Sequence, residues 1–275
     1  MSVDEHLLKE AEFGKLPFDI FALEKWDYSQ PLEQDQEQWN RLAREWLNLD
    51  ARGRHPYHYN NDKSLTPVAT PTIDEINRVF VPHQTVRERN LSTKARMAHQ
   101  SPVWLRTCYS PELASVYKGW VNSELDYVSR RGTQVLDDEA LYAPFADDWS
   151  CVLLRVPAIA DAVHYVFEDD GNLWNPREYF DPPGKGEEFM MPFYEAMVEE
   201  KTLLFLIDEE ALRDKLVKIL WLDIHGTCVW DNRLSPDQVL AFTGRMFDGG
   251  SLAALYEEFP ADPKLYKRSR ILQID

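Results

Sequence analysis

The chain has 275 residues, of which 44% are hydrophobic and 28% charged, so it is long enough to bury a core and is not disordered throughout. No apolar run approaches the roughly 18 residues that a membrane span requires, and the N-terminus is acidic where a secretory signal is basic. Cys108, Cys151 and Cys228 are odd in number and scattered, which indicates neither a disulfide framework nor a thiolate zinc site, so we expect a soluble cytoplasmic protein in a reducing compartment.

The negative charge is concentrated in the second half of the chain. Residues 1–132 hold 17 Lys and Arg against 19 Asp and Glu, whereas residues 133–275 hold 13 against 28, a balance of −15 within a total of −17. Such a field repels nucleic acids and anionic membranes. Residues 52–106 are locally basic, nine against four, and this segment is expected to be a solvated face or to lie against the acidic half.

The first half of the chain has the pattern of amphipathic helices. Apolar residues recur at a 3.6-residue period in one stretch: Trp39, Leu42, Ala43, Trp46 and Leu47. This stripe predicts a helix with an aromatic buried face. A capping box at Thr72 and Glu75 predicts the start of a further short helix.

Residues 110–132 carry the start and stop signals of another helix. Ser110 has the chemistry of an N-cap and Pro111 that of the first helical position, while Arg131 and Gly132 suit a C-terminus. Between the two helical stretches, residues 55–72 contain three prolines and several Asn, Ser and Thr, so a loop is predicted there.

The second half changes character. Continuous apolar runs at 150–156 and 202–208 predict strands covered on both faces, followed by a short helix after residue 208. Further helices are predicted at 193–200, from Ser235 onward, and at 251–259. The predicted fold class is α+β (mixed α/β), with a mostly helical N-terminal region at 1–132 and a small acidic α/β domain at 133–275.

Residues 218–231 predict a β-hairpin within a short mixed sheet. A two-residue loop at His225 and Gly226 places Trp221 opposite Trp230, because side chains alternate between the two faces of a strand. The same register pairs Leu222 with Val229, Asp223 with Cys228 and Ile224 with Thr227, and it puts Cys228 on the face of Trp221.

The start of that loop also has a competing interpretation. Asp223, Ile224, His225 and Gly226 after an apolar run resemble the beginning of the metal site in some metal-dependent phosphoesterases. The hairpin register sends Asp223 and Asp231 to opposite faces, and the further ligand blocks of such enzymes are missing from the sequence. The hairpin is therefore favoured, and neither a metal nor another cofactor is predicted.

Other histidines and cysteines have unremarkable local sequences. His55 and His58 have the spacing of a ligand pair, but Pro56 argues against a helical arrangement, and packing in a polar loop is favoured. Cys151 and Cys228 are expected to be buried and inert. Glycine-rich phosphate loops and the nucleophile elbow of α/β-hydrolases have no counterpart in the sequence.

The long connection between residues 169 and 186 is the best binding candidate. It combines Trp174, Tyr179 and Phe180 with Arg177, the residue types enriched in protein-binding hot spots, although the aromatics could also cover the core of the small domain.

These patterns favour a non-catalytic binding protein over an enzyme. We expect an acidic surface and the aromatic loop to engage a basic protein partner, as an inhibitor or immunity-type protein would, with no nucleic acid or membrane as partner. The alternative is an enzyme of unrecognised family, most plausibly a hydrolase whose site is assembled from Asp223, His225, His164 and Glu168.

Overall fold

A computed structural model describes most of the chain. The described residues are 13–14, 16–58, 71–90, 103–123, 135–146, 148–161, 202–239, 241–243 and 271–272.

The centre of the described fold is one mixed β-sheet. Its strands are β1 Val103–Arg106, β2 Val135–Leu136, β3 Thr202–Ile207, β4 Val217–Leu222, β5 Cys228–Leu234 and β6 Ile271–Leu272. They lie side by side in the order β2-β1-β3-β4-β5-β6. Strand β1 runs parallel to β2 and β3, β4 is antiparallel to both of its neighbours, and β5 is parallel to β6. The predicted α+β class with a mixed sheet is therefore confirmed.

Helices surround this sheet. They include α1 Pro17–Lys25, α2 Asp35–Asn48, α3 Ala51–His58, α4 Ile73–Glu75, α5 Ala114–Ser123, α6 Glu139–Tyr142, α7 Val152–Arg155 and α8 Glu209–Asp214. Helix α4 continues as a π-helix, Ile76–Phe80. Short 3-10 turns occur at Leu32–Gln34, Pro111–Leu113, Ala143–Phe145, Trp149–Cys151, Pro157–Asp161 and Pro236–Gln238. None of the helices in the described ranges has the length and apolar composition needed to cross a bilayer.

Each face of the sheet is buried by its own set of apolar side chains, because successive residues of a strand point to opposite faces. One face carries Trp104, Phe205 and Trp221, which pack with Tyr117 and Trp120 of α5. The other face is aliphatic and packs on α6 and α7. Its main residues are Leu105, Leu204, Leu206, Leu220, Leu222, Tyr142, Val152, Leu153 and Ile159.

A third apolar cluster holds the N-terminal helices together. It is rich in aromatic side chains: Phe18, Phe21, Trp26, Trp39, Trp46 and Phe80. Phe18 meets Trp39 edge to face, with ring centroids 5.2 Å apart. The predicted stripe of α2 is confirmed, since Trp39, Leu42, Ala43 and Trp46 are all buried.

Buried polar contacts tie this helical cluster to the sheet region. The guanidinium of Arg54, which is fully buried, donates to the carbonyl oxygens of Trp46, Ala160 and Ile224 and lies 3.5 Å from Asp161. It also stacks over the Trp46 ring at 5.0 Å. The locally basic segment thus contacts the acidic half at this point.

A second set of contacts crosses the same junction. Glu88 is fully buried and accepts from Arg155 and from the hydroxyl of Tyr142, at 2.9 Å. The indole of Trp39 donates to Leu154 O at 2.7 Å. The boundary predicted near residue 132 stays a prediction, but the region before it supplies β1 to the sheet and is not helical throughout.

The predicted strand at 150–156 is wrong. Residues Trp149–Cys151 form a 3-10 turn and Val152–Arg155 a helix, begun by Asp148, whose Oδ1 accepts from Ser150 N–H at 3.0 Å. A short apolar run cannot be assigned by periodicity alone, because a buried helical turn and a buried strand look alike. The strand predicted at 202–208 is confirmed as β3.

The hairpin is present, and Trp221 lies opposite Trp230 as predicted. Its loop has three residues instead of two, because Asp223 N–H donates to Thr227 O at 3.0 Å. Gly226 follows in the left-handed region, at φ +75°, which matches a type I turn ending in a bulge.

A bulge between Trp221 and Leu222 compensates for the longer loop. The larger loop shifts the pairing by one residue, and the bulge shifts it back before the tryptophans. Between the two irregularities the predicted register is wrong: Leu222 pairs with Cys228 and not with Val229. Cys228 therefore packs on the aliphatic face and not on the face of Trp221.

Several start signals are confirmed. Thr72 and Glu75 form the predicted capping box, with Glu75 N–H donating to Thr72 Oγ1 at 3.2 Å. The helix after Ser110 is present through Ser123, as a 3-10 turn followed by α5. The predicted loop at 55–72 is wrong at its start, since α3 extends to His58 with Pro56 inside it. The helices predicted at 193–200 and 251–259 lie outside the described residues.

Candidate functional site

A cavity of about 700 Å³ lies where α2, the turn before α7 and the β4–β5 hairpin meet. Cavities of about 300–1,000 Å³ are typical of sites for small molecules. Its apolar wall consists of Leu47, Trp149, Leu153, Leu154 and Leu220. Leu47 reaches it from the edge of the α2 stripe, and Leu220 from the aliphatic face of the sheet.

The hairpin turn forms one rim, and Asp223 holds that turn in shape. Its Oδ1 accepts from the backbone N–H groups of His225, at 2.9 Å, and Thr227, at 2.8 Å. The side chain is only 6% exposed, and burial raises its pKa against the lowering effect of those hydrogen bonds. Asp223 stabilises the loop and does not line the cavity.

His225 does line the cavity, from an exposed position on the same turn. Its Nδ1 lies 2.7 Å from Leu47 O, and a carbonyl oxygen only accepts, so Nδ1 carries the proton. The neutral ring therefore has Nε2 as its basic nitrogen. The contact also anchors the hairpin to the end of α2.

The opposite rim is the turn Trp149–Cys151. Asp148 caps it, accepting from Ser150 N–H at 3.0 Å and from Ser150 Oγ at 2.5 Å. Hydrogen bonds from Ser150 lower the pKa of Asp148, so this carboxylate is ionised and already used by the fold. The Cys151 thiol donates to Asp148 Oδ2 at 3.6 Å.

Cys151 is a poor candidate for a nucleophile. Burial and the neighbouring Asp148 charge raise the pKa of its thiol, which disfavours the reactive thiolate. Cys228 also lines the cavity, and its Sγ lies 3.3 Å from Trp230 O. Both thiols are partly exposed and not fully buried as predicted.

Two cations and a further carboxylate complete the lining. Arg44 projects from α2, and Lys218 and Asp231 come from β4 and β5. The side chains of Arg44 and Lys218 make no ion pair or hydrogen bond with any described residue. The cavity thus combines an apolar wall with two cations that pair with no described residue.

The residues predicted for a hydrolytic site are not brought together as such. His225 lines the cavity and Asp223 is buried beneath the turn, while His164 and Glu168 lie outside the described residues. The predicted binding residues Trp174, Arg177, Tyr179 and Phe180 also lie outside them. In the described ranges, no three His, Cys, Asp or Glu side chains are grouped so that they could hold a metal ion.

Sequence reasoning missed most of the cavity residues. Arg44 looks like a solvent-facing residue of an amphipathic helix, and Asp148 and Trp149 precede a run that was assigned to a strand. No signal in the sequence connects α2 with the hairpin about 180 residues later, because such a contact depends on tertiary packing.

A second polar cluster lies at the carboxyl ends of β1 and β2. The Arg106 guanidinium is sandwiched between the rings of Tyr109, at 4.3 Å, and Tyr117, at 3.8 Å, and reaches Asp137 at 3.2 Å. The Tyr117 hydroxyl donates to the same carboxylate at 2.6 Å. Because these groups meet one another's hydrogen-bonding and charge requirements, the cluster is explained by its structural role, which is to hold α5 against the edge of the sheet.

Comparisons of the chain with protein-family models, curated proteins and solved structures found no match. The cavity and the charge distribution are therefore the observations on which a function can be argued.

Proposed function

We propose that this is a non-catalytic cytoplasmic binding protein whose acidic surface engages a basic protein partner. The observation that carries the proposal is the charge balance of −15 over residues 133–275. An inhibitor that covers a basic surface of its target is one form of such a protein. The loop with Trp174, Arg177, Tyr179 and Phe180 is proposed to supply its aromatic contacts.

The way the chain uses its arginines supports this proposal. Most described arginines are paired with carboxylates of the same chain: Arg41, Arg54, Arg78, Arg89, Arg106, Arg155, Arg213 and Arg233. Four of them belong to the locally basic segment 52–106, so that segment offers less positive surface than its composition indicates. Exposed carboxylates such as Glu33, Glu37 and Glu139 have no cation paired with them among the described residues.

The groups in and beside the cavity that could perform chemistry also favour binding over catalysis. Asp223 and Asp148 are used to hold turns, and the pKa of Cys151 is shifted away from thiolate formation. A catalytic carboxylate or thiol needs a free functional group with a pKa suited to proton transfer or attack.

The test is binding of a synthetic lysine-rich peptide at increasing salt. Raising the ionic strength from about 0.01 M to about 1 M shortens the screening length from about 30 Å to about 3 Å, so binding should weaken steeply. The same peptide with acetylated lysines is the control and should not bind. Binding that is insensitive to salt would contradict the electrostatic proposal.

The aromatic loop is tested with alanine variants against the same peptide. Trp174→Ala and Tyr179→Ala should weaken binding by about tenfold or more if these side chains are anchors. Tyr28→Ala is a matched control, since Tyr28 is an aromatic residue of the first half with 42% of its surface exposed. Equal effects of all three substitutions would remove the loop from the proposal.

One observation favours the alternative, a hydrolase. His225 lines the cavity with its Nδ1 held by Leu47 O, which leaves Nε2 as a basic nitrogen of the kind used in proton transfer. Hydrolysis of ester, amide or phosphoester substrates by the wild type, with loss of activity in His225→Asn, would support this alternative. Activity that is unchanged in His225→Asn would exclude His225 as its base.

A further inference from the structure

The cations of the cavity differ from most of the arginines that the structure describes. Most of those arginines are paired with carboxylates, even on an exposed helix face, as in Arg41 with Glu45 at 2.9 Å. Arg44 lies three residues further along the same helix and lines the cavity without an ion pair to any described residue. Lys218 is half-buried and likewise forms no ion pair with a described residue, although the chain carries a net charge of −17.

Leaving a partly buried ammonium without a partner costs free energy, because part of its hydration is lost with no compensating charge. Lys218 is in this position, and the exposed Arg44 brings a second positive charge to the same cavity, so an anion from outside would complete the site. Asp148 and Asp231 line the same cavity, but neither forms an ion pair with Arg44 or Lys218.

The remaining wall gives the shape of the ligand. Trp149, Leu153, Leu154 and Leu220 provide apolar surface in the same cavity as the cations. Sites for small molecules commonly combine such a wall with a few polar groups that orient the ligand. An apolar body against this wall would place an anionic head near Arg44 and Lys218.

We propose that this cavity is a binding site for a small organic anion, a monocarboxylate with an apolar aliphatic or aromatic body, held by Arg44 and Lys218. A guanidinium and an ammonium together match the charge and hydrogen-bonding capacity of a carboxylate. This proposal concerns a small-molecule site and does not depend on the protein partner proposed above.

The charges of the cavity also select among anions. Asp148 and Asp231 line the same space, so a dianionic phosphate meets more repulsion than a carboxylate with a single charge. A cationic or neutral ligand of the same shape would leave both cations without a partner. Specificity therefore rests on one negative charge joined to an apolar body.

The experiment is calorimetric titration of the purified full-length protein with 3-phenylpropanoate and with octanoate. The neutral 3-phenylpropanamide, the cationic 3-phenylpropylamine and phenyl phosphate serve as comparison ligands. We expect the carboxylates to bind about tenfold or more tightly than the amide, with the amine and the phosphate weaker than the carboxylates. Equal binding of carboxylate and amide, or failure of both carboxylates to bind, would overturn the proposal.

The double variant Arg44→Ala/Lys218→Ala locates the site. It should lose about tenfold or more of the affinity for carboxylate while keeping its weak affinity for the amide. The matched control is Arg87→Ala/Lys118→Ala, which removes two exposed cations that form no ion pair with a described residue and do not line the cavity. A control variant that loses as much affinity as the cavity variant would mean that the carboxylate binds nonspecifically, and the proposal would fail.

The apolar wall is tested separately with Leu220→Ser, read by the affinity for octanoate relative to acetate. In the wild type the longer chain should bind more tightly, because its body contacts the wall. The variant should reduce this difference without abolishing it. No preference for octanoate over acetate in the wild type would remove the apolar body from the proposal. Thermal unfolding of each variant checks that it is folded before the titrations are compared.

Discussion

Two groups of basic side chains in this molecule contrast sharply. Where the N-terminal helices meet the sheet, Arg54 is fully buried, each of its three guanidinium nitrogens donates to a carbonyl oxygen, and one of them also contacts Asp161. At the nearby cavity, Arg44 and Lys218 have no partner among the described residues. The first group is explained by the fold, since an unpaired buried charge would be very unfavourable. The second is not, because Lys218 is half-buried without an ion pair to a described residue, and sites that depart from a folding rule are where function is expected.

The largest effect is expected from the buried arginine. Arg54→Met removes the donors of three carbonyl oxygens and the partner of Asp161, so it should lower the free energy of unfolding by about 3–5 kcal/mol. Urea denaturation measures the change. Arg41→Met, which breaks an exposed pair with Glu45, is the control and should have a small effect. Similar losses in the two variants would erase the distinction between the two kinds of basic residue.

Acid should weaken the helical cluster through His83. This side chain is 3% exposed and stacks on Trp39, and burial lowers its pKa from 6.5 to about 4. The unfolded chain therefore takes up a proton first, and stability that is complete above pH 6.5 is lost as the pH falls toward 4, by ~3 kcal/mol.

The measurement is a series of urea midpoints from neutral pH to about pH 4 for the wild type and His83→Phe. Phenylalanine keeps a flat ring beside Trp39 but does not titrate. The variant should show a shallower loss of stability with acid. Parallel curves would mean that His83 is protonated in the folded state without penalty.

A smaller effect is expected at the hairpin turn. Gly226 has φ +75°, and a Cβ there would lie 2.2 Å from Leu153 Cδ1, so Gly226→Ala should destabilise the fold by about 1–3 kcal/mol. Gly119 sits on an exposed face of α5 with open space around it, and Gly119→Ala should stabilise by about 0.5–1 kcal/mol. Thermal unfolding compares the two, and shifts of the same sign would contradict the turn geometry.

The smallest effect is expected at the cavity. Arg44→Ala and Lys218→Ala break no pair within the described residues, so each should change the free energy of unfolding by less than about 0.5 kcal/mol. A slight gain for Lys218→Ala would agree with the removal of an uncompensated charge. A loss as large as that of Arg54→Met would show that these cations belong to the folded framework and not to a ligand site.

Local sequence signals were sufficient to predict elements whose determining interactions lie within a few residues of one another. The stripe of α2 and the capping box at Thr72 could be read directly, because helical periodicity and caps act within a few residues. The pairing of Trp221 with Trp230 was also predictable. The longer loop and the bulge shift the register in opposite directions, so the predicted pair is kept. A hairpin is local enough for alternation to place its central pair.

The wrong or missing predictions concern segments whose conformation depends on contacts with residues distant in the sequence. The run at 150–156 is apolar in either conformation, and it is helical because it packs across the sheet under the cap of Asp148. Strand β1 lies in a stretch dominated by basic residues, and its pairing partners are about 30 and 100 residues away.

By itself, the sequence determined the α+β class, the main N-terminal helices, strand β3, the hairpin and the uneven distribution of charge. Only the tertiary structure decided which arginines form ion pairs with carboxylates and which cations form none with a described residue. It alone brought α2, Trp149 and the hairpin around one cavity. The physical reason is the distance along the sequence over which each effect acts. Periodicity, caps and turns act over a few residues, whereas desolvation of a charge depends on every group that packs against it.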